Sequence, residues 1–369
     1  MSIVNRPLRV MHIISGDLWA GAEAQAYTLL SQLRGRVDLM VVVLNTGELA
    51  NRLTKGNIPL LILPESSLSS LAIFSRLVRA IFSFKPDVVH THRQKENILG
   101  GLAFVLNRII GRAKISVRTA HGAPEFTPTG IGRIQATLNV AIGRWVQQAV
   151  IAVSEDLRGK LLPVFGPEKL VLVRNGVDCR ALRELSLPIA PALRNYDVGI
   201  IGRLEPVKRV DLFLRMAAQL LAQAPDIPWR FHIIGDGNLA PSLKKLAEEL
   251  GVLAHLDFHG HISTAAPYLA GLKVLIMCSD HEGTPMTALE AMALGVPVIA
   301  HKVGGLEELL SAQPRGLVVQ HTHEGYAQAL LDYARNPFAA IPLPAEYTAE
   351  CNAGHIYALY RRLLGIEVL

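Results

Sequence analysis

The feature that most constrains the fold is an alternation of short apolar runs and longer segments with helical periodicity, repeated along almost the whole chain. Residues 8–15 and 39–44 have the length and composition of buried strands, and residues 22–33 between them carry apolar side chains at helical spacing. Strands that alternate with helices form parallel sheets covered by helices on both faces. The sequence therefore predicts an α/β fold.

The alternation occurs twice, so the 369 residues are expected to form two doubly wound, Rossmann-like domains. Residues 185–195 contain two prolines and show neither periodicity, which predicts a linker. We predict a first domain over residues 1–185, a second over 196–350, and a C-terminal helix over 351–369 that packs back on the first. Ligands of such sheets bind at the carboxyl ends of the strands, so we expect the domains to face each other across a substrate cleft.

Composition excludes several other classes of protein. Half of the residues are apolar and 18% are charged, which excludes general disorder. The cysteines Cys179, Cys278 and Cys351 are far apart, so neither a disulfide framework nor a zinc ribbon is predicted. No leader-like segment opens the chain, and the longest apolar stretch, residues 98–110, is shorter than the roughly 20 residues that span a bilayer. We expect a cytoplasmic protein.

Charge is distributed unevenly. Residues 1–180 hold 22 Lys and Arg against 12 Asp and Glu, and the remainder hold 15 against 19. A basic first half is consistent with a diphosphate or an anionic lipid surface as a partner, and also with a merely solvated surface. Segments 68–85 and 97–112 are apolar with basic edges, which predicts core-packing helices that could also touch an anionic bilayer. No interleaving of aromatic and basic residues indicates a nucleic-acid partner.

The segment richest in candidate site residues follows a buried run at residues 274–277. Pro285 is predicted at the first helical position, so the N–H groups around the helix start would be open to an anion. Glu282 precedes that helix and Glu290 lies within it among apolar neighbours, where sugar hydroxyls would satisfy a carboxylate. The alternative is a capping glutamate and a helix-surface glutamate. The candidate ligand contacts in this segment are Gly283, Thr284, Pro285, Met286, Thr287 and Glu290.

Two cations follow the first strand of the second domain. Gly202 and Arg203 come directly after that strand, and Lys208 follows five residues later. A guanidinium can bind phosphate oxygens through two parallel hydrogen bonds, and an ammonium beside it adds a point charge. The alternative is an ordinary ion pair with Glu205.

In the first domain, Gly16 and Gly21 flank the loop between the first strand and the first helix. Glycines permit close backbone approach and a helix start favours phosphate, although a tight turn would need the same residues. His121 follows another strand. A single histidine is more often structural, but one at the carboxyl end of a strand is a candidate catalytic residue.

Glu282 and Glu290 form an E-x7-E arrangement within EGTPMTALEAMALGVPVIA, and this segment resembles the signature of the retaining family 4 glycosyltransferases. Arg203, Lys208, an NGVD segment at 175–178 and a GG pair at 304–305 strengthen the resemblance, which covers almost the whole chain. The resemblance implies the glycosyltransferase B-type fold, with an acceptor-binding first domain and a donor-binding second domain.

The resemblance also implies the roles of individual residues. It assigns Glu290 to the donor ribose, Glu282 to the transferred sugar, and Arg203 with Lys208 to the diphosphate. It places Ile262 beside the nucleobase and His121 near the reacting sugar. It implies no metal and no cofactor, and a UDP-sugar or GDP-sugar as donor.

We therefore predict a retaining glycosyltransferase that moves a hexose or N-acetylhexosamine from a nucleotide diphosphate sugar to a hydroxyl of a lipid-linked or polysaccharide acceptor. Its expected role is cell-envelope polysaccharide or lipopolysaccharide synthesis, with peripheral contact to the inner face of the plasma membrane through the basic first domain. A sugar-nucleotide epimerase and a non-catalytic sugar-nucleotide-binding protein remain alternatives. A dinucleotide-binding fingerprint at residues 235–240 is a further one, disfavoured because it follows the second strand of its domain.

Overall fold

The computed structural model describes residues 6–122, 129–186 and 196–366. The chain forms two compact units, one of Met1–Gly176 with Ala349–Leu369 and the other of Val177–Thr348. This division differs from the boundary at 185 predicted from the sequence, and residues 187–195 of the predicted linker lie outside the described part. The reason is packing: Val177, Cys179 and Leu182 contact the apolar core of the second unit.

The first unit contains a seven-stranded parallel sheet with the strand order β3-β2-β1-β4-β5-β6-β7. Its strands are rich in Val and Ile and largely buried, as expected for a sheet with helices on both faces. Its elements are β1 (Arg9–Ile14), α1 (Gly21–Leu33), β2 (Asp38–Val43), α2 (Glu48–Lys55), β3 (Leu60–Ile62), α3 (Ser70–Phe84), β4 (Val88–Thr91), α4 (Gln94–Ile109), β5 (Ile115–Ala120), α5 (Ile131–Trp145), β6 (Ala149–Ala152), α6 (Glu155–Phe165) and β7 (Leu170–Leu172).

The second unit contains a six-stranded parallel sheet with the order β10-β9-β8-β11-β12-β13. Its elements are α7 (Cys179–Ser186), β8 (Tyr196–Ile201), α8 (Val210–Gln223), β9 (Trp229–Ile234), α9 (Ala240–Glu249), β10 (Leu256–Gly260), α10 (Ala266–Gly271), β11 (Val274–Met277), α11 (Met286–Leu294), β12 (Val298–His301), α12 (Gly304–Leu309), β13 (Leu317–Val318) and α13 (His323–Arg335). Single 3₁₀ turns occupy Pro206–Lys208, Leu253–His255, Pro314–Gly316 and Ala345–Tyr347.

The last helix, α14 (Ala349–Leu363), belongs to the first unit and packs on α1. Ile356 and Tyr360 join the same buried cluster as Leu29 and Leu30. Gln25 of α1 also donates a hydrogen bond to Asn352 at 3.0 Å. The first unit is therefore completed by a segment from the opposite end of the chain.

Strand order fixes where ligands can bind. In each sheet the chain reverses direction across the sheet between two neighbouring strands, β1 and β4 in the first unit and β8 and β11 in the second. The loops that leave two such strands diverge, and a crevice opens between them. Arg203 and Glu282 lie in the loops after β8 and β11, and Gly16 lies in the loop after β1. The predicted α/β architecture with two parallel sheets is confirmed.

The helix α11 begins at Met286, so the prediction that Pro285 is the first helical residue was wrong by one position. Pro285 is the N-cap, in extended conformation, and the first helical N–H groups are those of Met286 and Thr287. Within the described parts of the chain, no helix is both long enough and apolar enough to cross a membrane.

Candidate functional site

Lys208 and Glu282 meet at the switch point of the second sheet. The ammonium of Lys208 donates to Oε1 of Glu282 at 2.5 Å, and the hydroxyl of Ser279 donates to the same oxygen at 2.6 Å. The Lys208 side chain is 23% exposed and that of Glu282 is 10% exposed. Because water is largely excluded, removing either partner would leave a poorly compensated charge.

Arg203 and Lys208 line one small pocket beside this pair. The pocket has a volume of about 10 Å³, and Gly202, Leu204 and Ser279 also line it. Arg203 is exposed to solvent, unlike Lys208. Glu205, the alternative partner, accepts a hydrogen bond from the amide of Asn238 at 3.1 Å. The structure thus brings the two predicted cations to one place, and Lys208 pairs with Glu282.

The loop that carries Arg203 is held by the loop after β9. The N–H of Leu204 donates to the carbonyl of Asp236, and the N–H of Leu239 donates to the carbonyl of Leu204, at 2.9 and 3.0 Å. A Cβ on Gly235 would lie 1.9 Å from the carbonyl oxygen of Gly202. Glycine is therefore required by close backbone packing, which explains the dinucleotide-like fingerprint at residues 235–240 without a dinucleotide.

A second glycine pair supports the loop that carries Glu282. The N–H of Gly305 donates to the carbonyl of Glu282 at 3.2 Å. A Cβ on Gly304 would lie 2.0 Å from the carbonyl oxygen of Glu282, and one on Gly305 would lie 1.8 Å from that of Gly283. The GG pair at 304–305 therefore positions the backbone beneath Glu282.

The remaining residues predicted in the second unit occupy two different places. Thr284, Pro285 and Met286 are buried at the start of α11, and Thr287 and Glu290 are half-buried in its first turns. Helix starts present N–H groups that the helix itself cannot bond, so this end of α11 suits an anion. Ile262 follows β10, which β9 separates from β8 in the sheet.

Two histidines that the sequence analysis did not identify stand beside the Glu282 loop. His301 ends β12, and its Nδ1 lies 2.9 Å from the carbonyl oxygen of Ser279. The rings of His301 and His321 stack with centroids 3.7 Å apart. Nε2 of His321 lies 2.9 Å from Oδ1 of Asp280, and burial is the main cause of its lowered pKa. The position of His301 at the end of a predicted strand was the sequence feature that could have identified it.

In the first unit, Gly16 shapes the loop after β1. It has a φ of +68°, and a Cβ there would lie 2.4 Å from Val43. Gly21 is the first residue of α1, which therefore begins one residue before the start predicted at residue 22. Arg93, which the sequence analysis missed, forms ion pairs with Asp17 at 3.2 Å and with Glu23 at 2.7 Å. Burial raises the pKa of Glu23 to about 7, despite the opposing effect of Arg93.

His121 follows β5 and is the end of a series of histidines. Its Nε2 lies 3.1 Å from Nδ1 of His92, and Nε2 of His92 lies 3.1 Å from Nδ1 of His12. Burial lowers the pKa of each of these histidines, and lowers that of His92 to about 3. All three are therefore neutral at neutral pH.

Among the described residues, two groups of three side chains bring possible metal ligands close together. They are His12 with His90 and His92, and His232 with Asp257 and His259. Neither group includes Lys208 or Glu282. In the second group the Asp257 carboxylate already accepts from Arg230 at 2.9 Å.

Two family models match the chain. The description "Glycosyltransferase Family 4" matches residues 19–181, and "Glycosyl transferases group 1" matches residues 195–336. Together they cover well over half of the sequence. The chain therefore belongs to this family of glycosyltransferases, as the E-x7-E resemblance predicted.

Particular relatives are the D-inositol 3-phosphate glycosyltransferases of Streptomyces scabiei and Streptomyces coelicolor. They are 29% and 34% identical to this chain over 72% and 68% of its length. The matched regions span 63% and 62% of those two proteins, slightly under two thirds.

Solved structures support the fold. Anabaena HepE in complex with UDP and glucose superposes with a TM-score of 0.75 at 20% identity, covering 97% of this chain and 96% of that one. Sucrose-phosphate synthase from Thermosynechococcus elongatus superposes with a TM-score of 0.70 at 19% identity, covering 97% and 99%. At these identities the likeness establishes the fold alone, and it confirms the glycosyltransferase B-type fold.

Proposed function

We propose that this protein is a retaining glycosyltransferase that moves a hexose or N-acetylhexosamine from a nucleotide diphosphate sugar to an acceptor hydroxyl. The observation that carries the proposal is the Lys208–Glu282 pair at the switch point of the second sheet, beside Arg203 and the start of α11. Two cations and a helix start suit a diphosphate, and carboxylates suit sugar hydroxyls.

In this proposal each group has a separate task. Arg203 and Lys208 bind the diphosphate, Glu290 accepts hydrogen bonds from the ribose, and Glu282 binds the transferred sugar. Glu282 holds Lys208 in place, because the Lys208 ammonium donates a hydrogen bond to Oε1 of Glu282. UDP is the proposed nucleotide of the donor, because the solved structure of HepE is a complex with UDP.

The bond from the anomeric carbon to the diphosphate breaks, and the electron pair leaves with the diphosphate. The acceptor oxygen forms its bond to the anomeric carbon from the same face, and its proton passes to the departing diphosphate. Arg203, Lys208 and the first N–H groups of α11 stabilise the charge that develops on the leaving group. In this proposal these fixed charges act without a metal or a cofactor.

The test is a donor-panel assay with mass detection, with UDP-sugars and GDP-sugars offered with and without candidate acceptors. A transfer product with a retained anomeric configuration supports the proposal. A new sugar epimer without acceptor would indicate an epimerase instead. Donor binding with neither product would indicate a non-catalytic binding protein. An Arg203→Ala/Lys208→Ala variant that folds and transfers sugar at the wild-type rate would refute the phosphate assignment.

We further propose that the acceptor is lipid-linked and that the first unit contacts the cytoplasmic face of an anionic membrane. The supporting observation is an apolar face on α4 and α5, two helices packed so closely that a Cβ on Gly101 would lie 2.6 Å from Ile142. Its members are exposed apolar side chains that recur at helical spacing: Leu102, Leu106, Ile109, Ile134, Leu138 and Trp145.

The degree of exposure makes this face unusual. Ile109 is 76% exposed and Trp145 is 83% exposed. Exposed basic residues stand beside the apolar ones, with Arg108 preceding Ile109 and Arg144 preceding Trp145. Apolar side chains with adjacent cations suit the surface of a bilayer with anionic headgroups. Such a surface would also hold a lipid-linked acceptor.

Vesicle sedimentation tests the membrane contact. The wild-type protein should bind vesicles that contain phosphatidylglycerol and should not bind pure phosphatidylcholine vesicles. Ile109→Glu should abolish binding. The control is Val319→Glu, which places the same charge at a 75% exposed apolar position of the second unit and should bind as wild type does. Equal binding by both variants would refute the assignment of this face. In that case a soluble acceptor, such as the inositol phosphate in the relatives' names, becomes the better candidate.

A further inference from the structure

A continuous series of hydrogen-bonding contacts joins Thr119 to His121 through the buried interior of the first unit. We call it the histidine chain. Its contacts are Thr119 Oγ1 to His90 Nε2 at 2.8 Å, His90 Nδ1 to the Tyr360 hydroxyl at 2.6 Å, the Tyr360 hydroxyl to His12 Nε2 at 3.3 Å, His12 Nδ1 to His92 Nε2 at 3.1 Å, and His92 Nδ1 to His121 Nε2 at 3.1 Å.

Ring geometry supports a hydrogen bond between His92 and His121. The rings of His92 and His121 have centroids 5.4 Å apart and are inclined by 16°, as expected when one ring donates to the next nearly in plane. The rings of His90 and His92 are stacked instead, with centroids 4.7 Å apart and an angle of 4°. The nitrogen lone pairs of each histidine lie in the plane of its ring. Because the planes of His90 and His92 are parallel, these lone pairs do not converge on one ion, so the histidines suit a series of hydrogen bonds better than a metal site.

Because the histidines are neutral, each ring has one N–H group and one lone pair. The five contacts therefore depend on one another. If Thr119 donates to His90, then His90 donates to Tyr360, Tyr360 donates to His12, and the order continues to His121. In this order His121 accepts a hydrogen bond at Nε2 and carries its own proton on Nδ1.

The opposite order is less favourable. The reversal can begin at Thr119 or at Tyr360. The hydroxyl of the residue where it begins then accepts hydrogen bonds from the histidines, and its own proton needs another acceptor. Neither hydroxyl has another acceptor in the described part of the chain, and a buried donor without a partner is costly. In either order, Nδ1 of His121 has no hydrogen-bond partner among the described residues. The forward order therefore leaves one unpaired group, and each reversal leaves two.

We infer that the histidine chain holds His121 as the tautomer with its proton on Nδ1, which makes His121 a hydrogen-bond donor to a hydroxyl oxygen. Tyr360, His90, His12 and His92 are positioning residues in this arrangement. Thr119 and His121, the two ends of the chain, line one cavity of about 10 Å³, which has room for about one oxygen atom. The inference rests on the proposed function only in naming a sugar hydroxyl as the ligand.

The tautomer is measured without substrate, so this test is separate from that of the proposed function. The full-length protein is labelled with ¹⁵N-histidine, and the His121 signals are assigned by their loss in His121→Gln. Nitrogen NMR should show a protonated Nδ1 and a bare Nε2 on His121. A proton on Nε2 of the wild-type protein would overturn the inference.

Two variants test whether the chain sets the tautomer. Thr119→Val removes the first donor and should shift His121 toward the Nε2–H form, whereas Thr119→Ser keeps the hydroxyl and should restore the wild-type signals. Tyr360→Phe interrupts the chain and should give averaged signals. The control is Tyr333→Phe, which removes a hydroxyl that donates to the carbonyl oxygen of Lys273 in the second unit and should change nothing at His121. Wild-type His121 signals in both Thr119→Val and Tyr360→Phe would overturn the inference.

Discussion

Lys208 and Glu282 are in contact, yet we predict that substitutions of the two residues have different effects on UDP binding. We expect Lys208→Met to weaken UDP binding, because it removes the donor proposed for the diphosphate. We expect Glu282→Gln to leave UDP binding unchanged or tighter, because it removes a negative charge near the diphosphate and keeps the cation. Both variants should lower the rate of sugar transfer.

The magnitudes follow from the geometry. Two unit charges 2.5 Å apart attract by about 7 kcal/mol at an effective dielectric constant of about 20. Desolvation of both ions offsets most of this, so the net coupling measured by a double-mutant cycle should be about 1–3 kcal/mol. A hydrogen bond to a charged group contributes about 1.5–3 kcal/mol, so Lys208→Met should weaken UDP binding about 10- to 100-fold.

The assays are urea denaturation of both single variants and the double variant, and titration calorimetry with UDP. Lys245→Met is the control, because Lys245 forms an exposed ion pair with Glu249 at 3.7 Å on the surface of α9. That variant should lose less than about 1 kcal/mol of unfolding free energy and bind UDP normally. If Glu282→Gln weakened UDP binding as much as Lys208→Met, the separate roles assigned to the two residues would be wrong.

Arg203→Ala should lower kcat, measured by donor turnover, by about 10² because its proposed role is at the leaving group. It should leave the urea denaturation midpoint unchanged because Arg203 is exposed. Gly304→Ala should lower the free energy of unfolding by several kcal/mol, because its Cβ would overlap the carbonyl of Glu282. The control is Gly354→Ala within α14, whose Cβ would meet no atom within 4 Å and which should raise the free energy of unfolding by about 0.5–1 kcal/mol. Equal effects of the two substitutions would contradict the packing argument. Glu23→Gln should raise the free energy of unfolding at high pH. Burial raises the pKa of Glu23 to about 7, so in the wild-type protein the stability that protonated Glu23 provides is present below about pH 4.5 and is lost as the pH rises through 7. The variant should then be more stable than wild type at pH 8 by at most about 3 kcal/mol and equal to it near pH 4.5, as measured by urea denaturation.

The sequence predicted the features that are encoded locally. Strand and helix periods depend on neighbouring residues, so the two parallel sheets could be predicted from residues such as 39–44 and 22–33. The carboxyl end of a strand is also a local feature, and it pointed to Arg203, Glu282 and His121. The helix start at residue 286 was placed one position early because Pro285 fits either the N-cap or the first turn.

Other features could not be predicted because they join distant parts of the chain. Arg93 and Glu23 carry no motif, and their ion pair appears only when β4 is placed beside β1. The boundary at residue 176 depends on which core receives Val177 and Leu182, and that is a property of the packing and not of the local sequence. His12, His90 and Tyr360 look like ordinary core residues in the sequence.

The sequence by itself determined the two α/β units, the family, and the residue types available for binding a diphosphate and a sugar, because periodicity and motif spacing are local properties. Only the tertiary structure decided that Lys208 pairs with Glu282 and not with Glu205, that the glycines at 235 and 304 support the loops of the candidate site, and that Tyr360 reaches the histidines of β1 and β4. Those contacts depend on strand order and on side-chain direction at separations of tens to hundreds of residues, which no local pattern records.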